Sequence, residues 1–97
     1  MEKQYFIYIV SSYCNKKLYI GMTSNLKKRI WEHKNKVIKG HTETYNKNRL
    51  VYFEVFSDSE NAILREKQLK NWHRPWKINL IEEQNPKWKD LFEEICK

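Results

Sequence analysis

Three features of the sequence predict an α+β fold in which helices flank a small, three-stranded, mainly antiparallel sheet. Short runs dense in aromatic and β-branched residues read as strands. Longer stretches carry apolar residues at helical spacing. The chain has 97 residues, 40% of them hydrophobic and 14% aromatic, enough for one core and no second. The expected order is β-β-α-β-α-α in a single domain over residues 1–97.

The first strand is "QYFIYIV", residues 4–10, and the second is "KLYIG", residues 17–21. Polar residues around Asn15 to Lys17 suit the turn between them, which makes an antiparallel hairpin. No Asn-Gly or Asp-Gly pair fixes its register. Thr23, Ser24 and Asn25 are candidate N-caps for a helix whose apolar face is Leu26, Ile30 and Val37, with Gly40 beyond its end. A polar loop over residues 39–48 leads to the third strand, "RLVYFEVF". The next helix spans residues 57–72, with Ser57 and Glu60 at capping-box spacing. Pro75 breaks or restarts the chain. A last amphipathic helix covers residues 85–97: Asn85 caps it, Pro86 fits its first turn, and Trp88, Leu91, Phe92 and Ile95 make its apolar face.

Charge and cysteine usage narrow the function classes. The net charge of +7 favours polyanions, of which nucleic acid is the commonest. Cys14 and Cys96 form no disulfide framework, and neither they nor His33, His41 and His73 show zinc-site spacing. The longest apolar run, residues 5–10, is too short to span a bilayer, and no signal-like N-terminus precedes it. A soluble, cytoplasmic protein with no membrane partner is expected.

Glu66 is the most informative residue. Ala62 and Ile63 lie four and three positions before it and Leu69 three after, so its carboxylate sits on the apolar stripe of its helix. A carboxylate there needs a cation, a metal ion or several hydrogen bonds. An internal salt bridge to Arg49 or Arg65 would serve structure alone. Arg29 and His33, four apart, share the face bordering Leu26 and Ile30. An arginine beside a core can fork onto phosphate oxygens, and a histidine one turn on can move a proton. Tyr8 and Tyr19 sit mid-strand, where a tyrosine usually packs with its hydroxyl tethered.

Together these residues resemble the GIY-YIG nuclease superfamily, within it the small stand-alone bacterial group. "FIY", residues 6–8, stands where the family has GIY, and "YIG", residues 19–21, matches the second half. "NLKKRIWEH", residues 25–33, is similar to the segment with the family's arginine and histidine. "AILREKQLKNW", residues 62–72, is similar to the segment with the metal-binding glutamate. The strand "LVYFEVF" and the closing "NPKWKDLFEEI" also resemble the stand-alone group, so the likeness covers nearly the whole chain.

The resemblance implies metal-dependent hydrolysis of nucleic-acid phosphodiesters, DNA more than RNA, in repair or processing. Glu66 would hold one divalent ion, Mg²⁺ or Mn²⁺. Arg29 would bind the scissile phosphate. Tyr8 and Tyr19 would orient the attacking water, with Arg29 and the metal lowering a tyrosine pKa, and His33 would assist proton transfer. Asn79 is the best candidate for a supporting asparagine. Lys27, Lys28, Lys34, Lys36, Arg49, Lys67 and Lys70 would track the phosphate backbone, with the site on the sheet face between the two helices. Sequence specificity would then come from a protein partner or a dimer. Two departures stand out: Phe6 replaces the first glycine, and Met22 follows YIG where the excision-repair nuclease has a lysine. They fit an alternative, a catalytically weak nucleic-acid-binding module on the same fold. A weaker one is an adaptor that binds protein through Trp72, Trp76 and Trp88.

Overall fold

The computed structural model describes residues 3–12, 17–35 and 48–96. Its elements are β1 (Tyr5–Ser12), β2 (Leu18–Thr23), α1 (Leu26–Lys34), β3 (Asn48–Phe56), α2 (Ser59–Asn71), α3 (Arg74–Gln84) and α4 (Phe92–Ile95). The expectations for Cys14, Asn15, Lys36, Val37, Gly40 and His41 lie outside the described residues.

The sheet is antiparallel throughout, in the order β2-β1-β3. The central strand pairs Tyr8 with Gly21 and Val10 with Tyr19 on one side. On the other it pairs Ile9 with Tyr52 and Val10 with Leu50, which leaves Val51 as a bulge. Side chains alternate across a strand, so β1 feeds two cores. Ile7 and Ile9 pack with Ala62 and Leu69 of α2, Ile81 of α3, and Val51, Tyr52 and Trp88. Tyr8 and Val10 pack with Leu26 and Ile30 of α1 and with Leu50, against Leu91, Phe92 and Ile95. The bulge lets Val51 and Tyr52 both join the α2 core while Leu50 stays with the α1 core. The helices α1 and α2 therefore cover opposite faces of the sheet.

The bulge and the strand edge are satisfied from the C-terminal segment. Asn85 Nδ2 donates to the Val51 carbonyl at 3.1 Å. Asp90 Oδ1 accepts from the Leu50 amide at 3.1 Å, and the Leu91 amide donates to the Leu50 carbonyl at 2.8 Å. Buried backbone groups need such partners, and covering an edge strand blocks further pairing there.

Four details differ from the sequence expectation. First, α1 begins after Asn25, one of the expected caps, whose side chain accepts from the Lys28 amide, but it ends earlier than expected, at Lys34 with Asn35 as its cap. Second, Asp58 rather than Ser57 caps α2, because its carboxylate accepts from the Asn61 amide at 3.0 Å. Third, the chain restarts at Pro75 as α3, a helix the periodicity did not reveal; Pro75 fits its first turn. Fourth, the expected closing helix over 85–97 shrinks to the short α4. Asn85 ends α3 and clamps a turn, accepting from the Lys89 amide and donating to the Lys89 carbonyl, each at 2.9 Å. Inside that turn Trp88 takes φ 55°, a left-handed conformation that no helix contains. Its indole N–H donates to Glu82 at 2.9 Å.

Candidate functional site

The site grows out of one cross-strand pair. Tyr8 faces Gly21 on the edge strand, and its ring lies across that glycine. A Cβ at position 21 would stand 2.6 Å from Tyr8 Cζ and closer still to the hydroxyl. The glycine of the YIG run is thus the floor under the Tyr8 phenol. The hydroxyl reaches past it to His33 Nε2 at 3.0 Å. Tyr19 completes the cluster, its ring 6.3 Å from Tyr8 and 5.2 Å from His33, with Tyr8 and His33 edge to face at 5.6 Å. Tyr8 and His33 are fully buried, and Tyr19 is half-buried.

Burial sets the chemistry of this cluster. Desolvation, with Tyr19 next, holds the Tyr8 phenol well above its ordinary value of 10; Arg29 pulls the other way, and Glu66 and Glu32 add to the rise. Arg29 thus acts in the expected direction, but the loss of water outweighs it and Tyr8 stays protonated. Desolvation and then Arg29 push the His33 imidazole down from 6.5 to about 4, so it is neutral at pH 7.

The two charged residues of the expected set come from opposite faces. Arg29 is half-exposed on α1, with its Nε 3.8 Å from Glu32 Oε1. Glu66 sits on α2 with Ala62 and Leu69, both buried, four before and three after it; Ile63 is exposed, so the apolar stripe is narrower than expected. The Glu66 side chain keeps 22% of its surface, and its partner is Lys70 Nζ at 3.3 Å, rather than Arg49 or Arg65. Arg65 instead forks onto Glu54 of β3, with Nε at 3.0 Å from Oε1 and Nη2 at 2.9 Å from Oε2. Tyr52 donates to the same carboxylate. Burial alone would raise the Glu54 pKa, but these hydrogen bonds hold it below its ordinary value. That network fixes the rotation of α2 about its axis, and with it the direction of the adjacent Glu66.

The remaining expected residues divide. Lys27, Lys28, Lys67 and Lys70 are exposed. Lys34 is ion-paired with Asp90 and lies 5.3 Å from the Phe92 ring. Arg49 donates to the Trp88 carbonyl at 3.2 Å and the Ser12 carbonyl at 3.1 Å. These two cations tie the fold's C-terminal segment down, which corrects their expected place on a phosphate track. Lys36 lies outside the described residues. Asn79 is exposed in the middle of α3, and Asn85 is the clamp described above. Phe6 lies two residues before Tyr8 on the same face and packs against the α1 core. Met22 packs into the α2 core instead of reaching solvent as a lysine would.

Two residues escaped sequence reading. Glu32 is both the partner of Arg29 and a source of field at Tyr8; its i, i+3 spacing from Arg29 was the available signal. Lys77 of α3 lines, with Lys70, Leu18, Tyr19 and Ile20, a cavity of about 460 Å³. A larger one of about 630 Å³, lined by residues of 55–68, touches none of the tyrosines. Among the described residues no three His, Cys, Asp or Glu side chains gather as a metal-ligand set. The donor set is one carboxylate beside a displaceable ammonium. That fits a hard, oxygen-seeking ion held mainly by water and phosphate oxygens, not a protein cage. No described helix is long and apolar enough to cross a membrane.

Comparison with known proteins returns one family. The GIY-YIG catalytic domain matches residues 4–79. A UPF0213 protein of Staphylococcus haemolyticus is 36% identical over 80 residues, spanning 82% of this chain and 96% of that one. A UPF0213 protein of Clostridium perfringens is 34% identical over 90 residues, spanning 93% and 96%. The solution structure of a UPF0213 protein from Bacillus halodurans has the same fold, with a TM-score of 0.59 at 23% identity over 90% of this chain and 92% of that one.

Proposed function

This chain belongs to the GIY-YIG catalytic-domain family, among its small UPF0213 members, and from that premise we propose that it is a metal-dependent endonuclease acting on DNA. One observation carries the reading: the Tyr8 hydroxyl, hydrogen-bonded to a neutral His33, feels Arg29, Glu66 and Glu32 at once. A buried phenol in the field of three charges is ill-placed for stability alone and well-placed to meet a charged phosphate.

Each residue has a role that follows from its surroundings. Glu66, whose partner is the displaceable Lys70, would hold one Mg²⁺ or Mn²⁺, and that ion would supply Lewis-acid stabilisation of charge on the phosphate. Arg29, half-exposed and anchored by Glu32, grips the scissile phosphate and offsets the negative charge that grows on it. Tyr8 donates its proton to His33 Nε2, which leaves the phenol oxygen to accept a hydrogen bond from the attacking water. As that water attacks phosphorus, its proton passes to Tyr8 while the Tyr8 proton passes to His33, and the P–O bond to the leaving sugar oxygen breaks, that oxygen taking a proton from solvent. The base is then His33 acting through Tyr8: its lowered pKa keeps it free to accept at pH 7, and the negative charge of the bound phosphate offsets the cost of the imidazolium. Tyr19 packs against both rings and borders the cavity where the strand lies. The exposed Lys27, Lys28, Lys67 and Lys70 contact the backbone, which makes binding salt-dependent and largely blind to sequence. DNA processing or repair in the cytoplasm, with specificity lent by a partner or a second copy, completes the proposal.

A second reading rests on the Glu66–Lys70 pair, which already neutralises the carboxylate. It makes the protein a nucleic-acid-binding module that cuts poorly. One experiment decides: a panel of linear, branched and single-stranded DNA and RNA with Mg²⁺, Mn²⁺ or EDTA, alongside Arg29→Ala and Glu66→Ala. The endonuclease reading expects metal-dependent cleavage that falls about 100-fold or more in each variant. Cleavage indifferent to either substitution would sink the assigned site. Binding without cleavage across the panel would select the second reading.

A further inference from the structure

Trp76 stands in the first turn of α3 with 54% of its surface exposed. Its ring is braced rather than loose. Trp72 meets it edge-on at 5.9 Å, His73 edge-on at 5.4 Å, and the Arg65 guanidinium lies 5.2 Å from the Trp72 ring. The next residue, Lys77, lines the 460 Å³ cavity together with Lys70 and Tyr19. Lys70 in turn touches Glu66. The candidate metal ligand thus touches one of the two ammonium groups that line the cavity, and the other belongs to the residue that follows the braced indole on α3.

The other exposed tryptophan makes a useful contrast. Trp31 is 53% exposed and borders a groove with Asn25, Lys27, Lys28, Phe92 and Cys96. At about 100° per residue it projects roughly 200° around α1 from both Arg29 and His33. It lies away from the site, whereas Trp76 is on the helix whose Lys77 lines a cavity with Tyr19.

We propose that Trp76 is a stacking platform for an unpaired base, with the neighbouring phosphates held by Lys77 and Lys70, so that the substrates of this site carry a single-stranded segment next to the cleaved bond. The proposal rests on the nuclease reading and narrows it. In a duplex each base is stacked on its neighbours and offers no free face. An unpaired base offers one, and an aromatic ring beside cations is the usual way to take it. An apolar peptide would gain nothing from the ammonium groups of Lys70 and Lys77 that line the cavity, whereas a phosphodiester strand matches both an exposed ring and those charges.

The test measures binding in EDTA, so that nothing is cut. Labelled single-stranded DNA of about ten nucleotides and a blunt duplex of the same sequence are titrated with the whole protein, with fluorescence anisotropy and tryptophan quenching as readouts. Trp76→Ala should weaken single-strand binding about tenfold or more and leave duplex binding within about twofold. Trp76→Phe should recover most of the loss. Lys77→Gln should reduce the salt slope of single-strand binding by about 0.7. Single-strand binding by Trp76→Ala equal to that of the parent would overturn the proposal and assign the ring to another partner. If the parent cuts nucleic acid and Trp76→Ala cuts a flapped substrate as fast and as selectively over a blunt one as the parent does, only the platform falls. If the parent binds no nucleic acid at all, the nuclease reading falls with it.

Discussion

The two faces of β1 differ by one residue of phase and by nearly everything else. On the α2 side, Ile7 and Ile9 meet Ala62, Leu69 and Ile81, and Tyr52 in that core gives its hydroxyl to Glu54, which Arg65 also holds. On the α1 side, Tyr8 brings a hydroxyl into an equally dry place, with His33 and Tyr19 around it. The first face buries mostly hydrocarbon, and the phenol it desolvates, Tyr52, is matched by a charged partner. The second gives up some of the free energy of burial by desolvating a phenol and an imidazole, and both ionisations shift as a result. The comparison teaches that one strand divides its labour by alternation: one set of side chains holds the sheet to its helices, the other holds a proton path in place.

Substitutions can break this division. Ile9→Ala should lose about 2–4 kcal/mol in chemical denaturation, because a fully buried side chain leaves a cavity among rigid neighbours. Its cleavage per folded molecule should stay near that of the parent; a collapse of activity in the folded fraction would show the faces to be coupled. Gly21→Ala should lose roughly 1–3 kcal/mol, since the new Cβ pushes on a buried ring that is itself tethered to His33. Combined with Tyr8→Ala, the same substitution should add almost nothing. Full additivity in that double-mutant cycle would deny that the clash is with Tyr8.

Acid should weaken the α1 face selectively. The folded His33 pKa of about 4 lies below the 6.5 of an exposed imidazole, so between these values the unfolded chain binds more protons. The stability due to neutral His33 is complete above pH 6.5 and drains away as pH falls towards 4, by roughly 1–3 kcal/mol. His33→Phe should flatten that part of the melting-temperature profile; an unchanged acid limb would place the proton elsewhere. In catalysis, a His33 already neutral at pH 7 predicts no loss of turnover from its protonation between pH 8 and 5. The smallest stability effect belongs to Tyr8→Phe, about 1 kcal/mol for one lost hydrogen bond. Its cleavage should nevertheless drop about 100-fold, because the relay is cut. Retained turnover would remove Tyr8 from the proton path.

Much of this was legible in the sequence. Runs such as "YFIYIV" announce a strand because alternate residues must suit opposite faces, and Ala62 and Leu69 place Glu66 on an inward stripe because helix geometry is local. The YIG run with Arg29 and Glu66 points to the family for the same reason: each residue sits at a fixed offset on a regular element. The end of the chain was not legible. Trp88, Leu91, Phe92 and Ile95 have helical spacing, yet Asn85 prefers the carbonyl that the bulge at Val51 leaves unpaired, and the helix breaks. Ser57 offered a cap, but Asp58 took the role. The nearest cations expected for Glu66 were Arg49 and Arg65, and both are held elsewhere, by the Ser12 and Trp88 carbonyls and by Glu54.

The sequence by itself determined the antiparallel hairpin, the helix that begins after Asn25, and the residues available for chemistry, since propensity and periodicity act over a few residues. Only the tertiary structure decided that α1 and α2 take opposite faces, that Gly21 is the floor for Tyr8, and that His33 is neutral. Those outcomes depend on a bulge, a strand register and the exclusion of water. Each is a balance between groups far apart in the chain, which no local pattern records.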